Sequence, residues 1–346
     1  MTIAVSSAEA GSGDLVLPFR LDRPGARGRL VRLGASLDAV FAHRTFPPAI
    51  STLTAEAVLI TALIGHAIKL RWKLSLQIRG DGPVRLIATD YVAPANPGEA
   101  GRLRAYAGFD ETRVNPDARP GLSLLGQGYF AVVIDQGTDT RPYQGISPLS
   151  GRSLAESAET FFQQSEQLPT RLRVAVSDRA PSCGNTGPSG SRDGPGGCWQ
   201  GGGLMLQRLP DAGTGTAESP LTPLEKPEHG FRTNGAGASR PQEAPWSRLG
   251  LSFDSVSDSE LIEPSLPPDQ LVFRRFGSER PQVSTASPVA FGCSCSPETV
   301  RRSLSIYSAR DIRTMVNDDG MVTADCQFCG AHYEFAPETL GFEAVR

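Results

Sequence analysis

The segment that decides the fold lies at residues 72–90 and reads WKLSLQIRGDGPVRLIATD. Apolar residues alternate with polar ones over residues 72–79, which is the pattern of a strand with one buried face. Residues 80–83 are typical of a tight turn, and residues 84–90 return as a second strand. Gly-Asp-Gly also occurs in phosphate-binding loops, but a hairpin needs the same residues, so we interpret it as the turn.

A long apolar helix is predicted before this hairpin, at residues 52–70. Ser51 and Thr52 are suitable capping residues, and apolar side chains surround most of the helix, so we expect it to be buried. His66 lies inside this apolar run with no carboxylate or cysteine beside it, and we interpret it as a hydrogen-bonded core histidine. The most apolar part, residues 57–68, is too short to span a bilayer.

Further strands and a second helix continue the same pattern towards the C-terminus. The strands are predicted at residues 103–109, 129–135, 143–149, 171–177 and 204–209, and the helix at residues 153–167. Antiparallel hairpins with helices placed between them predict an α+β fold rather than a doubly wound parallel sheet.

The composition divides the chain into four regions. We predict a disordered tail at 1–13, an α+β core domain at 14–209 with a Gly-rich insertion at 179–203, a linker at 210–288 and a small C-terminal domain at 289–346. The linker combines a disordered stretch at 210–245 with short helices. Ser257 and Glu260 have the spacing of a capping box, and Pro268 can start a further helix.

The overall composition narrows the classes of function. The chain has 346 residues, 39% hydrophobic and 21% charged, with a formal net charge of −3. This charge gives no electrostatic reason to expect nucleic acid or an anionic membrane as a partner. None of the three lysines follows a glycine, so there is no Gly-Lys-Ser/Thr phosphate loop. Residues 1–13 lack the features of a secretory signal, and we expect a cytoplasmic protein.

Four of the six cysteines form two closely spaced pairs. Cys293 and Cys295 make one pair, Cys326 and Cys329 make the other, and Gly330 follows the second pair as in a tight knuckle. Two short-spaced pairs can supply the four soft ligands of a tetrahedral zinc ion, so we predict a zinc site. His332 is an alternative ligand, but four thiolates already complete the coordination. Cys183 and Cys198 have no ligand motif around them, and we expect free thiols or a disulfide within their loop.

The cysteine pattern leaves the role of the zinc site open. A permanently structural zinc site is the more frequent case for paired cysteines, and a thiol-disulfide oxidoreductase using residues 326–329 is a further alternative. A nucleic-acid zinc finger is disfavoured, because residues 289–346 contain five basic and eight acidic side chains.

The sequence resembles the heat-shock protein 33 family of redox-regulated bacterial chaperones over most of its length. The resemblance is carried by short motifs in the same order: residues 76–83 (LQIRGDGP), 104–107 (RAYA), 163–169 (QQSEQLP), 202–207 (GGLMLQ), 291–296 (FGCSCS) and 326–330 (CQFCG). The insertion with Cys183 and Cys198 and the long stretch at 210–245 depart from the family pattern, and both leave the zinc ligands unchanged.

The resemblance implies a non-enzymatic, ATP-independent holdase that binds unfolding client proteins under oxidative and heat stress. It implies zinc held by Cys293, Cys295, Cys326 and Cys329 in a reduced, inactive, monomeric state. Oxidation would then form the disulfides Cys293–Cys295 and Cys326–Cys329, release the zinc and unfold the C-terminal domain and the helical linker. Apolar linker residues would become available to clients (Phe253, Leu261, Ile262, Leu271, Phe273 and Phe276). The family also dimerises when oxidised.

Overall fold

A computed structural model describes residues 13–22, 25–115, 117–137, 140–178, 198–209 and 243–342. Residues 1–12 of the predicted tail, most of the Gly-rich insertion and residues 210–242 of the predicted disordered stretch lie outside these residues. The chain divides into two compact units: the first comprises residues up to 291 except 43–45, and the second comprises 43–45 and 292–346. The predicted domain bounds remain predictions, and the helices assigned to the linker belong by contact to the first unit.

The first unit is a large, mainly antiparallel sheet with helices packed on it, which confirms the α+β fold class. Its strands are β1 (Leu15–Leu21), β2 (Ala26–Leu33), β3 (Lys73–Gly80), β4 (Val84–Val92), β5 (Gly101–Phe109), β6 (Gly128–Asp135), β7 (Tyr143–Pro148), β8 (Thr170–Ser177), β9 (Gln200–Arg208), β10 (Pro281–Val283) and β11 (Ser287–Phe291). Its helices are α1 (Ala35–Phe41), α2 (Pro48–Ala67), α3 (Leu154–Ser165), α4 (Glu243–Asp254), α5 (Asp258–Ile262) and α6 (Pro268–Phe276).

The strands follow the order β7-β6-β3-β4-β5-β11-β1-β2-β9-β8, and β10 pairs with β1. Only the β5–β11 pairing is parallel among the described strands. The late strands β10 and β11 therefore return from the C-terminal side to the first strand of the chain. Local sequence patterns do not indicate which distant strands pair, so the sequence analysis did not predict this pairing.

The predicted hairpin is strands β3 and β4, joined by the predicted turn. The Asp81 carboxylate accepts the N–H of Gln127 at 2.8 Å, and Gly82 N–H donates to the carbonyl of Leu125 at 2.8 Å. A Cβ on Gly80 would lie 1.9 Å from the same carbonyl oxygen. The glycines thus serve the close approach of a neighbouring loop, which supports the turn interpretation.

Helix α2 crosses the core and is buried along almost its entire length, as predicted. It begins at Pro48 rather than at the predicted Ser51/Thr52 cap, because proline at the first helical position has a suitable φ and needs no N–H partner. Among the described residues it is the one helix long and apolar enough to cross a membrane, and 83% of its apolar window is buried inside the protein. His66 forms a hydrogen bond of 2.9 Å with the Tyr91 hydroxyl, as expected for a satisfied histidine.

The Gly-rich insertion ends earlier than predicted, because β9 begins at Gln200 rather than after Gly203. Glycines 201–203 occur where neighbouring elements pack so closely on the strand backbone that there is no room for a Cβ atom. A Cβ on Gly203 would lie 2.9 Å from Val31 and 3.0 Å from Leu63. These glycines allow close packing against strand β9, which is paired on both sides, although their sequence pattern indicates a loop.

The second unit is small. It contains α7 (Pro297–Leu304), α8 (Ala309–Thr314), β12 (Val322–Asp325) and β13 (His332–Phe335), with β12 and β13 forming an antiparallel hairpin. Ser296 caps α7, and Ser308 with Asp311 forms the capping box of α8. Four apolar side chains form its core among the described residues: Ile312, Val322, Phe335 and Leu340.

Candidate metal centre and the segment covering the sheet

Two short loops bring the four paired cysteines together in the second unit. Cys293 and Cys295 lie between β11 and α7, and Cys326 and Cys329 lie in the turn between β12 and β13. All four sulfur atoms lie within 4.8 Å of one another, and all four residues are half-buried. The Sγ atoms of Cys293 and Cys326 are 3.6 Å apart, and those of Cys295 and Cys329 are 3.3 Å apart.

The Cys326–Cys329 loop is a tight knuckle, as its sequence predicts. Cys326 N–H donates to the carbonyl of Ala331, and Gly330 N–H donates to the carbonyl of Cys326 at 2.8 Å. Gly330 has a φ of +69°, in the left-handed region that glycine adopts without strain. The Ala331 amide also donates to the sulfur of Cys329. The knuckle therefore directs a backbone amide towards a sulfur ligand.

The sulfur cluster fits a tetrahedral metal ion. Zinc–sulfur bonds of about 2.3 Å place tetrahedral ligands about 3.8 Å apart, which is close to the two sulfur–sulfur distances above. Burial raises the pKa of the Cys295 thiol, and it raises that of Cys329 to about 12. A cation must therefore displace protons to convert these thiols into thiolate ligands. The site can hold a metal; its identity as zinc is a proposal.

His332 lies apart from the sulfur cluster. Its Nδ1 is 2.7 Å from the carboxylate of Asp325 and its Nε2 is 3.4 Å from that of Glu334. The hydrogen bond with Asp325 is the main cause that raises the pKa of this exposed histidine. The imidazole is thus paired with carboxylates, consistent with leaving it out of the ligand set.

Cys198, the fifth cysteine among the described residues, does not join the cluster. Cys198 is disulfide-bonded, so of the alternatives for this residue the structure supports the disulfide. Cys183 lies outside the described residues.

Sequence reasoning missed one residue at the cluster, Tyr333. Its hydroxyl donates a hydrogen bond to the sulfur of Cys295, with oxygen and sulfur 3.1 Å apart. The two residues are 38 positions apart, so only the folded hairpin brings them together. The sequence analysis assigned Tyr333 no role.

Helices α4, α5 and α6 cover one face of the sheet in the first unit; we call them the covering segment. Their buried apolar residues are Leu249, Phe253, Val256, Leu261, Leu271, Val272 and Phe276. They pack against a sheet surface formed by Leu17, Phe19, Leu21, Ala26, Leu30, Ala175, Leu204 and Leu206. The rings of Phe19 and Phe276 stack with centroids 5.9 Å apart. An apolar sheet face is therefore buried by a segment of short helices.

One residue of the covering segment, Phe273, is not buried as the sequence analysis expected for an apolar residue that becomes available to clients only after oxidation. A surface that is to become available to clients only after oxidation must be buried in the folded protein. Four of the expected residues are buried: Phe253, Leu261, Leu271 and Phe276. Phe273, by contrast, is already 51% exposed. Phe273 lies on the outward face of α6, so detachment of the segment would change its exposure little. The apolar sheet residues, which the sequence analysis did not identify, are the larger hidden surface.

Arginines of the sheet contact the polar side of the covering segment. Arg171 pairs with Asp254 at 2.5 Å and Arg173 with Asp258 at 2.8 Å. Arg32 donates to the backbone carbonyl of Glu260 at 2.7 Å. The Asp254 and Asp258 side chains are more than half exposed, so each of these ion pairs adds little stability by itself. The segment is held by apolar burial and oriented by these arginines.

A cavity of about 680 Å³ lies between α2, α3, β8 and the end of α4, and Glu56 of α2 lines it. Arg171 and Arg173 of β8, Glu159 of α3 and Asp254 of the covering segment also line it. Burial, together with the negative charge of Asp258, raises the pKa of Glu56 from its ordinary value of 4.5 to about 7. An ionised Glu56 is therefore unfavourable beneath the covering segment.

We expect Glu56→Gln to stabilise the first unit above neutral pH. An acid with a raised pKa keeps its proton on folding, so the parent protein loses stability as the pH rises from about 4.5 through 7. The glutamine variant avoids this loss, and the difference between parent and variant should reach about 1–3 kcal/mol at pH 8. Urea unfolding at pH 5 and pH 8 measures it, with Glu111→Gln at an exposed position as the matched control. An equal pH dependence in parent and Glu56→Gln would contradict the prediction.

Comparisons with known proteins agree with this arrangement. The Hsp33 protein family matches residues 14–336. A 33 kDa chaperonin of Caulobacter vibrioides is 32% identical over 330 residues, covering 94% of this chain and 95% of the relative. A 33 kDa chaperonin of Nitrosococcus oceani is 28% identical, covering 92% and 89%. The crystal structure of the Hsp33 homologue of Thermotoga maritima superposes with a TM-score of 0.67 at 18% identity, covering 94% of this chain and 96% of that one, and shows the same fold.

Proposed function

The chain belongs to the Hsp33 family of chaperones, and we propose that it is a redox-regulated, ATP-independent holdase. We propose that its switch is a zinc ion held by four cysteines: Cys293, Cys295, Cys326 and Cys329. As a member of a chaperone family it acts by binding unfolded client proteins, not by catalysis. The observation that carries the proposal is the cluster of four sulfur atoms within 4.8 Å of one another. The buried apolar sheet face supports it from the first unit, since that face supplies a surface for clients.

In the reduced state the four thiolates hold zinc, which supplies binding energy to a unit whose own apolar core is small. In the oxidised state the sulfurs form disulfides, and these no longer ligate zinc as thiolates do. We propose the pairs Cys293–Cys295 and Cys326–Cys329, as in the family. Every pairing is within reach of a cluster this compact, so peptide mass mapping of the oxidised protein is the test of this assignment.

Loss of the zinc-stabilised fold would release the covering segment by chain continuity. The chain passes from α6 through β10 and β11 directly into the loop that carries Cys293. Strands β10 and β11 are only three and five residues long, so they hold their place on β1 and β5 through few hydrogen bonds. Detachment of α4–α6 then exposes the sheet residues that pack beneath them. We further propose a cytoplasmic protein that is monomeric when reduced and dimeric when oxidised.

The proposal is tested by suppression of client aggregation. Chemically denatured citrate synthase is diluted into buffer with the reduced, zinc-loaded protein or with the protein pretreated with hydrogen peroxide, and light scattering is followed. We expect only the oxidised protein to suppress aggregation, with release of one zinc per chain detected by a metallochromic dye. Equal protection by the reduced protein would refute the switch. Retention of zinc after oxidation would indicate a static zinc module instead.

A further inference from the structure

We infer that Tyr333 acts as a positioning residue for the redox switch: its hydroxyl, by donating a hydrogen bond to the sulfur of Cys295, slows the oxidation of that sulfur by peroxide. The inference rests on the proposed function and adds to it a residue that sets how much oxidant is needed. It starts from the O–H···S contact of 3.1 Å between the two side chains.

The tyrosine is held in place for this contact by its own strand. Tyr333 lies in β13 opposite Ala324 of β12, and its ring stacks on Phe335 with centroids 6.4 Å apart. Phe335 is buried in the small core of the second unit, and Tyr333 is half-buried at its margin. The ring is thus fixed by packing, while the hydroxyl reaches the sulfur cluster. Removal of the hydroxyl alone leaves the packing ring intact.

The chemistry of the first oxidation step explains why this hydrogen bond slows the reaction of Cys295 with peroxide. A sulfur lone pair of the Cys295 thiolate attacks one oxygen of hydrogen peroxide; the S–O bond forms, the O–O bond breaks and hydroxide leaves. A second thiolate of the cluster then attacks the sulfenic sulfur, forms the S–S bond and displaces another hydroxide. Peroxide accepts two electrons and two thiolates lose them. A hydrogen bond to the sulfur withdraws electron density from the attacking lone pair, so it lowers the nucleophilicity of the sulfur.

Cys329 has a donor of a different kind, the backbone amide of Ala331. A backbone donor is fixed by the knuckle and stays in place whichever side chain other than proline is substituted. The Tyr333 hydroxyl is a side-chain donor, so its contribution can be changed without changing the loop. This difference makes Tyr333 the position at which the sequence can set the rate of the switch.

The test compares Tyr333→Phe with the parent protein, both reduced and zinc-loaded. We expect zinc release by hydrogen peroxide, followed with a metallochromic dye, to be about three- to tenfold faster in the variant. Trapping with dimedone and mass spectrometry should show the corresponding increase in sulfenic acid at Cys295. Tyr307→Phe is the matched control, since the Tyr307 hydroxyl has no hydrogen-bond partner among the described residues of the same unit. It should release zinc at the parent rate.

A spectroscopic measurement separates this role from a merely structural one. In the cobalt(II)-substituted protein, loss of the O–H···S bond makes Cys295 a better electron donor, so the sulfur-to-cobalt charge-transfer band should shift to longer wavelength in Tyr333→Phe. Tyr307→Phe should leave the band unchanged. A further variant, Tyr333→Leu, lacks both ring and hydroxyl and should release zinc at least as fast as Tyr333→Phe.

The outcomes distinguish this inference from the proposed function. If both proteins bind one zinc per chain and release it at the same rate with the same cobalt spectrum, the role of Tyr333 is refuted while the switch stands. If the parent protein binds no zinc or keeps it in peroxide, the proposed function itself fails. Faster release together with the red-shifted band supports the inference.

Discussion

Removal of the metal from the reduced protein is expected to abolish the stable fold of residues 292–342. The second unit has one small apolar cluster of Ile312, Val322, Phe335 and Leu340 among its described residues, and its helices α7 and α8 are eight and six residues long. Units of this size usually depend on metals, disulfides or partners for stability. Structural zinc in small sites supplies about 10–16 kcal/mol, far more than such a core can replace.

Hydrogen exchange measured by mass spectrometry tests this expectation. Amides of β12 and β13 should be protected in the zinc-loaded protein and exchange at the rate of an unfolded chain after treatment with a zinc chelator under reducing conditions. The amides of α2 serve as the internal control, because this helix is buried in the apolar core of the first unit. Cys326→Ser, which removes one ligand, should reproduce the effect without a chelator. Protection of the β12–β13 hairpin in metal-free protein would show that the metal does not hold this unit together.

Local patterns in the sequence predicted a large part of the fold. Strand β3 alternates strictly, Ser153 caps α3, and the capping box of α5 is a short-range hydrogen-bond pattern, so each was found at or near its observed position. The four cysteines of the cluster were identified for the same reason, since the members of each pair are separated by only one or two residues.

Features that depend on distant parts of the chain were not predicted. Strand β2 was not recognised, because arginines interrupt its alternation; Arg29 is accommodated by donating to the carbonyl of His66 at the end of α2. The start of β9 was read as a loop, because its glycines are required by side chains and backbone from other elements. The contact of Tyr333 with Cys295 likewise exists only after β13 has formed. In each case the residue is explained by a contact with an element that is distant in the sequence.

The substitution Gly202→Ala is expected to make the reduced protein a constitutive holdase. A Cβ at Gly202 would lie 2.0 Å from the carbonyl oxygen of Leu261 and 2.4 Å from its carbonyl carbon. Every close contact of this added atom is with Leu261 of α5, and backbone atoms cannot rotate away. Overpacking of this kind costs about 1–3 kcal/mol, which shifts the docking of the covering segment by roughly 5- to 150-fold. The cost falls on the contact between α5 and β9 and leaves the sulfur cluster unchanged.

Suppression of aggregation by the reduced, zinc-loaded Gly202→Ala protein measures the effect. We expect protection comparable with that of the oxidised parent, together with faster hydrogen exchange in α4–α6 and an unchanged zinc content. Gly277→Ala is the matched control at the end of the same segment, since a Cβ there meets no atom within 4 Å, and it should behave as the parent. If the segment of Gly202→Ala exchanges rapidly but the reduced protein protects no client, the apolar sheet face is not the client surface. If the segment stays protected, the strand has moved to accommodate the methyl group, and the close packing of α5 on β9 is not what holds the segment in place.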